Sequence, residues 1–174
     1  MYFKEFLDKE RAKPLGPEQV VALAYRKGMK TMDYEQLEGK SLSKLLPNDS
    51  AILILFTDHS QPSKPIGHFC LLFKFKNKIE FFDPLGLGLR NVTSITHSRK
   101  FLQKLLQNHD FHNNKFKYQR RQEDVNTCGR HCATRWNLAQ LSPDKYQRFM
   151  HDDRLHPDDI VTLMTMDNDL TLLK

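Results

Sequence analysis

The chain has 174 residues, enough for one domain with a proper core, and its 39% hydrophobic and 28% charged content is that of an ordinary soluble globular protein. Its longest wholly apolar run, Ala51 to Phe56, is far too short to cross a membrane, and the start Met1-Tyr-Phe-Lys-Glu-Phe lacks the basic-then-apolar layout of a signal peptide. Three cysteines do not make a disulfide framework, so the expected setting is a reducing intracellular compartment.

The net charge of +6 is unevenly spread: residues 1–143 hold 23 Lys and Arg against 14 Asp and Glu, whereas residues 144–174 hold 4 against 7. Basic residues gather at Lys74, Lys76 and Lys78, and again at Lys115, Lys117, Arg120 and Arg121. Such a surface suits DNA or acidic protein segments, and an ordinary solvated face is the alternative.

In chain order, Pro14-Leu-Gly-Pro17 separates a short amphipathic segment from a helix that begins at Pro17 and has Gly28 as its natural stop. Residues 33–46 look helical in part, with an apolar stripe of Leu37, Leu42, Leu45 and Leu46, and Pro47 to Ser50 makes a turn. Ala51–Phe56 reads as a buried strand. Asp58 to Gly67, with two prolines, is a loop that contains His59. His68–Lys76 and Lys78–Phe82 read as two strands joined at Asn77. His68, Cys70 and Leu72 lie on one face of the first strand, and Phe69, Leu71, Phe73 and Phe75 lie on the other. Pro84 to Gly88 closes the pair, residues 97–108 suit a helix, and Phe116 with Tyr118 suggests one more short strand. Cys128–Leu141 is helical with Cys132, Trp136 and Ala139 on its buried face. Further helices start at Ser142-Pro143-Asp144 and at His156-Pro157. The fold class is therefore α+β, a central mixed sheet flanked by helices within a single domain over residues 1–174. Its parts are a helical segment to about residue 48, a sheet over about 50–83, a helix from 128 and a helical end.

Four residues carry candidate chemistry. Cys128 sits at the start of a helix, where unpaired amides favour a thiolate, and Gly129 leaves room beside the sulfur. His68 opens a strand directly after a loop and suits a base that holds the thiolate and later protonates a leaving amine. Asp83 ends the partner strand and suits a carboxylate that orients the imidazole. The Gln122 amide, with the Cys128 backbone N–H, suits an oxyanion site, and Gln119 is its rival. Taken singly, each has an ordinary alternative: a core cysteine, a surface histidine, a turn-starting Asp-Pro, a solvated glutamine. Cys128, His131 and Cys132 also share a helical face, but a structural metal site draws four ligands from paired motifs and no second cysteine pair exists.

In order and spacing, Gly67-His68-Phe69, then Phe81-Phe82-Asp83-Pro84-Leu85-Gly86, then Gln122 six residues before Cys128-Gly129 resembles the adenain-like and SUMO-protease-like cysteine peptidases. The likeness covers roughly residues 50–140. Its Asp-Pro-Leu-Gly turn is closest to the maturation proteases of adenoviruses, virophages and related DNA viruses or transposons. The resemblance implies a papain-like active site in the rearranged order His, Asp, Gln, Cys, with His68, Asp83 and Cys128 as triad and Gln122 in the oxyanion hole. It implies an endopeptidase that processes capsid or core precursors at glycine-containing sites, in the host cytoplasm or nucleus and the virion. No cofactor is required on this reading, although DNA or an activating peptide can serve. The alternatives are a deconjugase of ubiquitin-like modifiers and a non-catalytic module that binds nucleic acid or capsid. This chain departs from the family in having Phe69, not Trp, after the histidine, and in a short interval between His68 and Asp83.

Overall fold

The computed structural model describes the backbone of residues 2–58, 66–92 and 99–171. His59, most of the expected 58–67 loop and the first two residues of the expected 97–108 helix lie outside the described residues. Helices α1 (Tyr2–Ala12) and α2 (Pro17–Leu23) lead into strand β1 (Met29–Asp33), a 3₁₀ turn (Tyr34–Leu37) and α3 (Leu42–Leu45). Strands β2 (Ser50–Asp58), β3 (Ile66–Phe75) and β4 (Lys78–Phe82) follow, then α4 (Gly88–Val92), α5 (Phe101–Leu106) and β5 (Phe111–Asn113). Helices α6 (Cys128–Asn137), α7 (Pro143–Phe149) and α8 (Pro157–Thr171) complete the chain. None of the described helices is long and apolar enough to cross a membrane.

The five strands form one mixed sheet in the order β1-β2-β3-β4-β5. The central pairs β2/β3 and β3/β4 are antiparallel, and the outer pairs β1/β2 and β4/β5 are parallel. Strand β3 turns into β4 through Lys76 and Asn77, both with positive φ (47° and 62°), a two-residue turn whose twist matches that of the strands. Alternation along β3 then sorts side chains to opposite faces. Phe69, Leu71 and Phe73 pack with Val20, Leu23, Cys132, Trp136 and Tyr146 under α2, α6 and α7. Cys70 and Leu72 pack with Tyr34, Leu37, Leu46 and Leu102 on the other side. The sheet is thus covered on both faces, which explains the unbroken apolar run of β2.

Several sequence expectations need correction. The segment to residue 48 is not wholly helical: Met29–Asp33 is a strand in parallel register with Ala51–Leu55. Only Met29 and Met32 of that strand are partly buried, so it has no alternating signature. Helix α2 ends at Leu23, short of Gly28, because Ala24 leaves helical geometry with φ −84° and ψ 104°. The last strand is Phe111–Asn113, and Phe116 and Tyr118 are loop residues held by their aromatic rings and by the Tyr118 N–H, which donates to the Pro84 carbonyl at 2.9 Å. The helix expected over 97–108 spans Phe101–Leu106, and that from Cys128 stops at Asn137 where the expected one ran to Leu141.

Helix α6 is anchored to β4 by a buried ion pair. Arg135 donates two hydrogen bonds to Glu80, at 2.8 and 2.7 Å, and two more to the carbonyls of Leu138 and Leu141. Its guanidinium also lies over the rings of Phe73 and Tyr146. Both charges are almost fully buried, at 1% and 5% exposure. Replacing Arg135 by Met leaves Glu80 buried and unpaired, and is expected to cost about 3–5 kcal/mol of stability. Urea unfolding of Arg135→Met and of the Arg135→Met/Glu80→Leu double variant checks this: the double variant should recover most of the loss.

Candidate active site

Strand β3 has ten residues and β4 only five. Because β4 ends at Phe82 opposite Leu71, the earlier part of β3 has no strand beside it on that edge. Helix α6 occupies the space. The Phe69 N–H donates to the Cys128 sulfur, and the Phe69 carbonyl accepts from the Cys132 thiol at 3.6 Å. Cysteines four apart on one helix face therefore take the two backbone groups that a longer β4 would have paired.

His68 begins the same stretch of β3. Its Nε2 donates to Asp83 Oδ1 at 2.8 Å, and its ring also bonds the Cys128 sulfur, which leaves Nδ1 for that contact. Histidine and carboxylate are both buried, Asp83 completely, and the Cys128 side is partly open. Asp83 is held on every side. Its two carboxylate oxygens accept the N–H groups of Leu85 (3.0 Å) and Leu87 (2.8 Å), and the Cys70 sulfur lies within 4.8 Å on the same face of β3 as His68. Its backbone N–H and C=O are both met by the Asn114 side chain at 2.7 Å. The turn needs Gly86 in the left-handed region (φ 63°), where a Cβ would also strike the Phe116 carbonyl oxygen at 2.8 Å.

The electrostatics follow from these contacts. Burial acts to lower the His68 value, but the Asp83 hydrogen bond and the Cys128 sulfur outweigh it and carry it up to about 9. Burial acts to raise the Cys128 value, but the His68 hydrogen bond and charge, with the N–H groups of Phe69 and Gly129, bring it below the ordinary thiol value. The pair therefore favours imidazolium and thiolate together. Burial instead pushes the Cys70 and Cys132 thiols well up, which leaves them inert.

The structure thus brings together His68, Asp83 and Cys128. Gln122 sits on the exposed loop before α6, where its carbonyl accepts from the Val125 N–H at 3.2 Å, and its amide makes no hydrogen bond to those three residues. Gln119 is buried, and its amide donates to the Val125 carbonyl at 3.2 Å. The expected room beside Gly129 is filled by Val20: a Cβ there would meet Val20 Cγ2 at 2.4 Å. Glycine is needed for α2 to close on α6, and not for substrate. Phe69 likewise is a core residue at 6% exposure, beneath Gly129. His131, weighed with Cys128 and Cys132 as a metal ligand, pairs through Nε2 with Asp158 at 3.0 Å. Among the described residues the group that could hold a metal is His68, Cys70 and Asp83, whose ligand atoms lie within 4.8 Å of one another. Two of them are already bonded to each other. Asn114 and Asp158 carried no sequence signal, since each acts through tertiary contacts that no local pattern records, whereas alternation already placed Cys70 on the face of His68.

No protein-family model matches the chain. It is similar to the uncharacterized protein V9 of Sputnik virophage, 29% identical over 143 residues, which is 73% of this chain and 79% of that protein.

The pair gives a pH signature. Iodoacetamide near neutral pH should modify Cys128 at least about tenfold faster than Cys70 or Cys132. The advantage over the same thiol in a His68→Ala variant should fade as pH rises through about 9, where an ordinary thiol ionises without an imidazolium partner. In His68→Ala the Cys128 rate should follow an ordinary thiol titration, read by mass mapping of the modified peptides.

Proposed function

We propose that the chain is a cysteine endopeptidase with a papain-like site in the order His, Asp, Gln, Cys, a viral maturation protease acting on capsid or core precursors. The observation that carries this reading is the contact chain from Cys128 through His68 to a fully buried Asp83. A sulfur at a helix start, an imidazole in the charged form and a rigid carboxylate are the parts of thiol acyl transfer. The Cys128 thiolate attacks the scissile carbonyl carbon, and the resulting oxyanion faces the Cys128 N–H and, once substrate is bound, the Gln122 amide. The His68 imidazolium then gives its proton to the departing amine, leaving a thioester on Cys128. Neutral His68 takes a proton from water, which hydrolyses the thioester and restores the ion pair. Asp83, held by five hydrogen bonds through its carboxylate and backbone, keeps the imidazole in one orientation throughout.

The similarity to a virophage protein supports a viral role over cellular deconjugation. Lys74, Lys76, Lys78, Lys115, Lys117 and Arg121 remain available to DNA or an acidic activating peptide. Arg120 does not, because it is bonded to Asp158 and Asp159.

The test is incubation with capsid precursors and with ubiquitin-like modifier conjugates, followed by mapping of new termini. Cleavage after glycine in a precursor is expected, and cleavage of the conjugates alone would replace the maturation role with deconjugation. Cys128→Ala and His68→Ala should reduce turnover by at least about 1,000-fold, and Asp83→Asn should leave more activity than His68→Ala. Equal cleavage by Cys128→Ala would sink the enzyme reading.

A further inference from the structure

The segment that leads into Cys128 is tied at both ends to one buried carboxylate. At its start, the Arg120 backbone N–H and Nε donate to Asp158 Oδ2 at 3.0 and 3.2 Å. At its end, the Thr127 hydroxyl donates to Asp158 Oδ1 at 2.6 Å. His131 Nε2, one turn into α6, meets the same oxygen at 3.0 Å. Asp158, Thr127 and His131 have no exposed surface at all. The neighbouring Asp159 holds Arg120 at 3.3 Å and Arg11 at 2.5 Å. The end of α1 closes the third side, where the carbonyls of Arg11 and Ala12 accept from the Asn126 backbone and side chain, each at 2.8 Å. Between these anchors, residues 121–124 are exposed and Gln122 stands among them.

This arrangement is costly to build. Burial of Asp158 opposes its charge, yet His131, Thr127 and the Arg120 N–H outweigh that and hold its carboxyl down to about 2. A buried carboxylate of this kind, bonded to the residue directly before Cys128, needs a reason. The Cys128 N–H belongs to the Thr127–Cys128 peptide group, so whatever fixes Thr127 also aims that N–H. Thr127 does not cap its own helix: its side chain makes no capping hydrogen bond and is given wholly to Asp158.

We propose that Asp158 is a positioning residue for the oxyanion site, setting the direction of the Cys128 N–H through Thr127 and the reach of Gln122 through Arg120. The inference rests on the protease reading. Its distinguishing consequence is that the nucleophile and the oxyanion site are held by different anchors. His68, Asp83 and Phe69 hold the sulfur, and Asp158 holds the peptide behind it.

Two reactions of Cys128 separate these anchors. Alkylation by iodoacetamide displaces iodide at carbon and forms no oxyanion, so it reads the thiolate alone. Acylation by the p-nitrophenyl ester of acetylglycine passes through a tetrahedral oxyanion, expels p-nitrophenolate and leaves a thioester, so it reads the oxyanion site as well. In Asp158→Asn and in the milder Thr127→Val, acylation should slow by about tenfold or more while alkylation changes by less than about threefold. Thr127→Ser, which keeps the hydroxyl, should restore acylation. An unchanged ratio of the two rates in Thr127→Val, or a parallel fall of both in step with the folded fraction, overturns the positioning role. A wild-type Cys128 that is alkylated but never acylated overturns the protease reading instead. The clamp is still read then, by amide hydrogen exchange over residues 121–127. Faster exchange in the two variants upholds it, and unchanged exchange removes it.

Discussion

The 2.8 Å contact between His68 and Asp83 joins two adjacent strands at the point where one of them ends. A carboxylate with no exposed surface is expensive, and it persists only where enough donors converge on it. Here the donors come from the turn after β4, from His68 on β3 and, through the peptide of Asp83 itself, from Asn114 beyond β5. Fixing that one group fixes the order of three strands, the course of the Pro84–Gly88 turn and the orientation of an imidazole. The remaining elements are arranged to bring a sulfur to the ring's other nitrogen.

Helix α6 is the piece delivered, and its placement is over-determined. Arg135 ties its end to Glu80 on β4, Val20 of α2 closes against Gly129, and the sulfurs of Cys128 and Cys132 meet the backbone of Phe69. A ten-residue helix would fray at its ends in isolation. These contacts, together with the grip of Asp158 on Thr127, hold the normally loose first turn as well as the last.

Much of this was legible in the sequence because it is local. The strand pair expected as His68–Lys76 and Lys78–Phe82 about Asn77 is found as Ile66–Phe75 and Lys78–Phe82, and the helix starts at Pro17, Pro143 and Pro157 follow from proline at the first helical position. Asp83 and Cys128 each stand at an element boundary, where position along the chain predicts position in space, whereas His68, expected to open its strand, lies two residues inside β3, which begins at Ile66. What escaped is non-local. Strand β1 has too little burial to alternate, and Gly129 makes room for a helix more than a hundred residues earlier in the chain, not for a ligand. The weight on Asp158 and Asn114 exists only once α8 and the segment after β5 have docked.

The Phe69 backbone carries a further consequence. Its carbonyl meets a thiol at 3.6 Å, a normal reach for sulfur, whereas a hydroxyl in the same place would have to approach by about 0.8 Å more to bond as well. The spacing between α6 and β3 is therefore gauged to the radius of sulfur one turn beyond Cys128. Cys132 behaves as a spacer: its buried thiol sets the gap beside Cys128, and an oxygen in its place would draw the helix inward and shift Cys128 relative to His68.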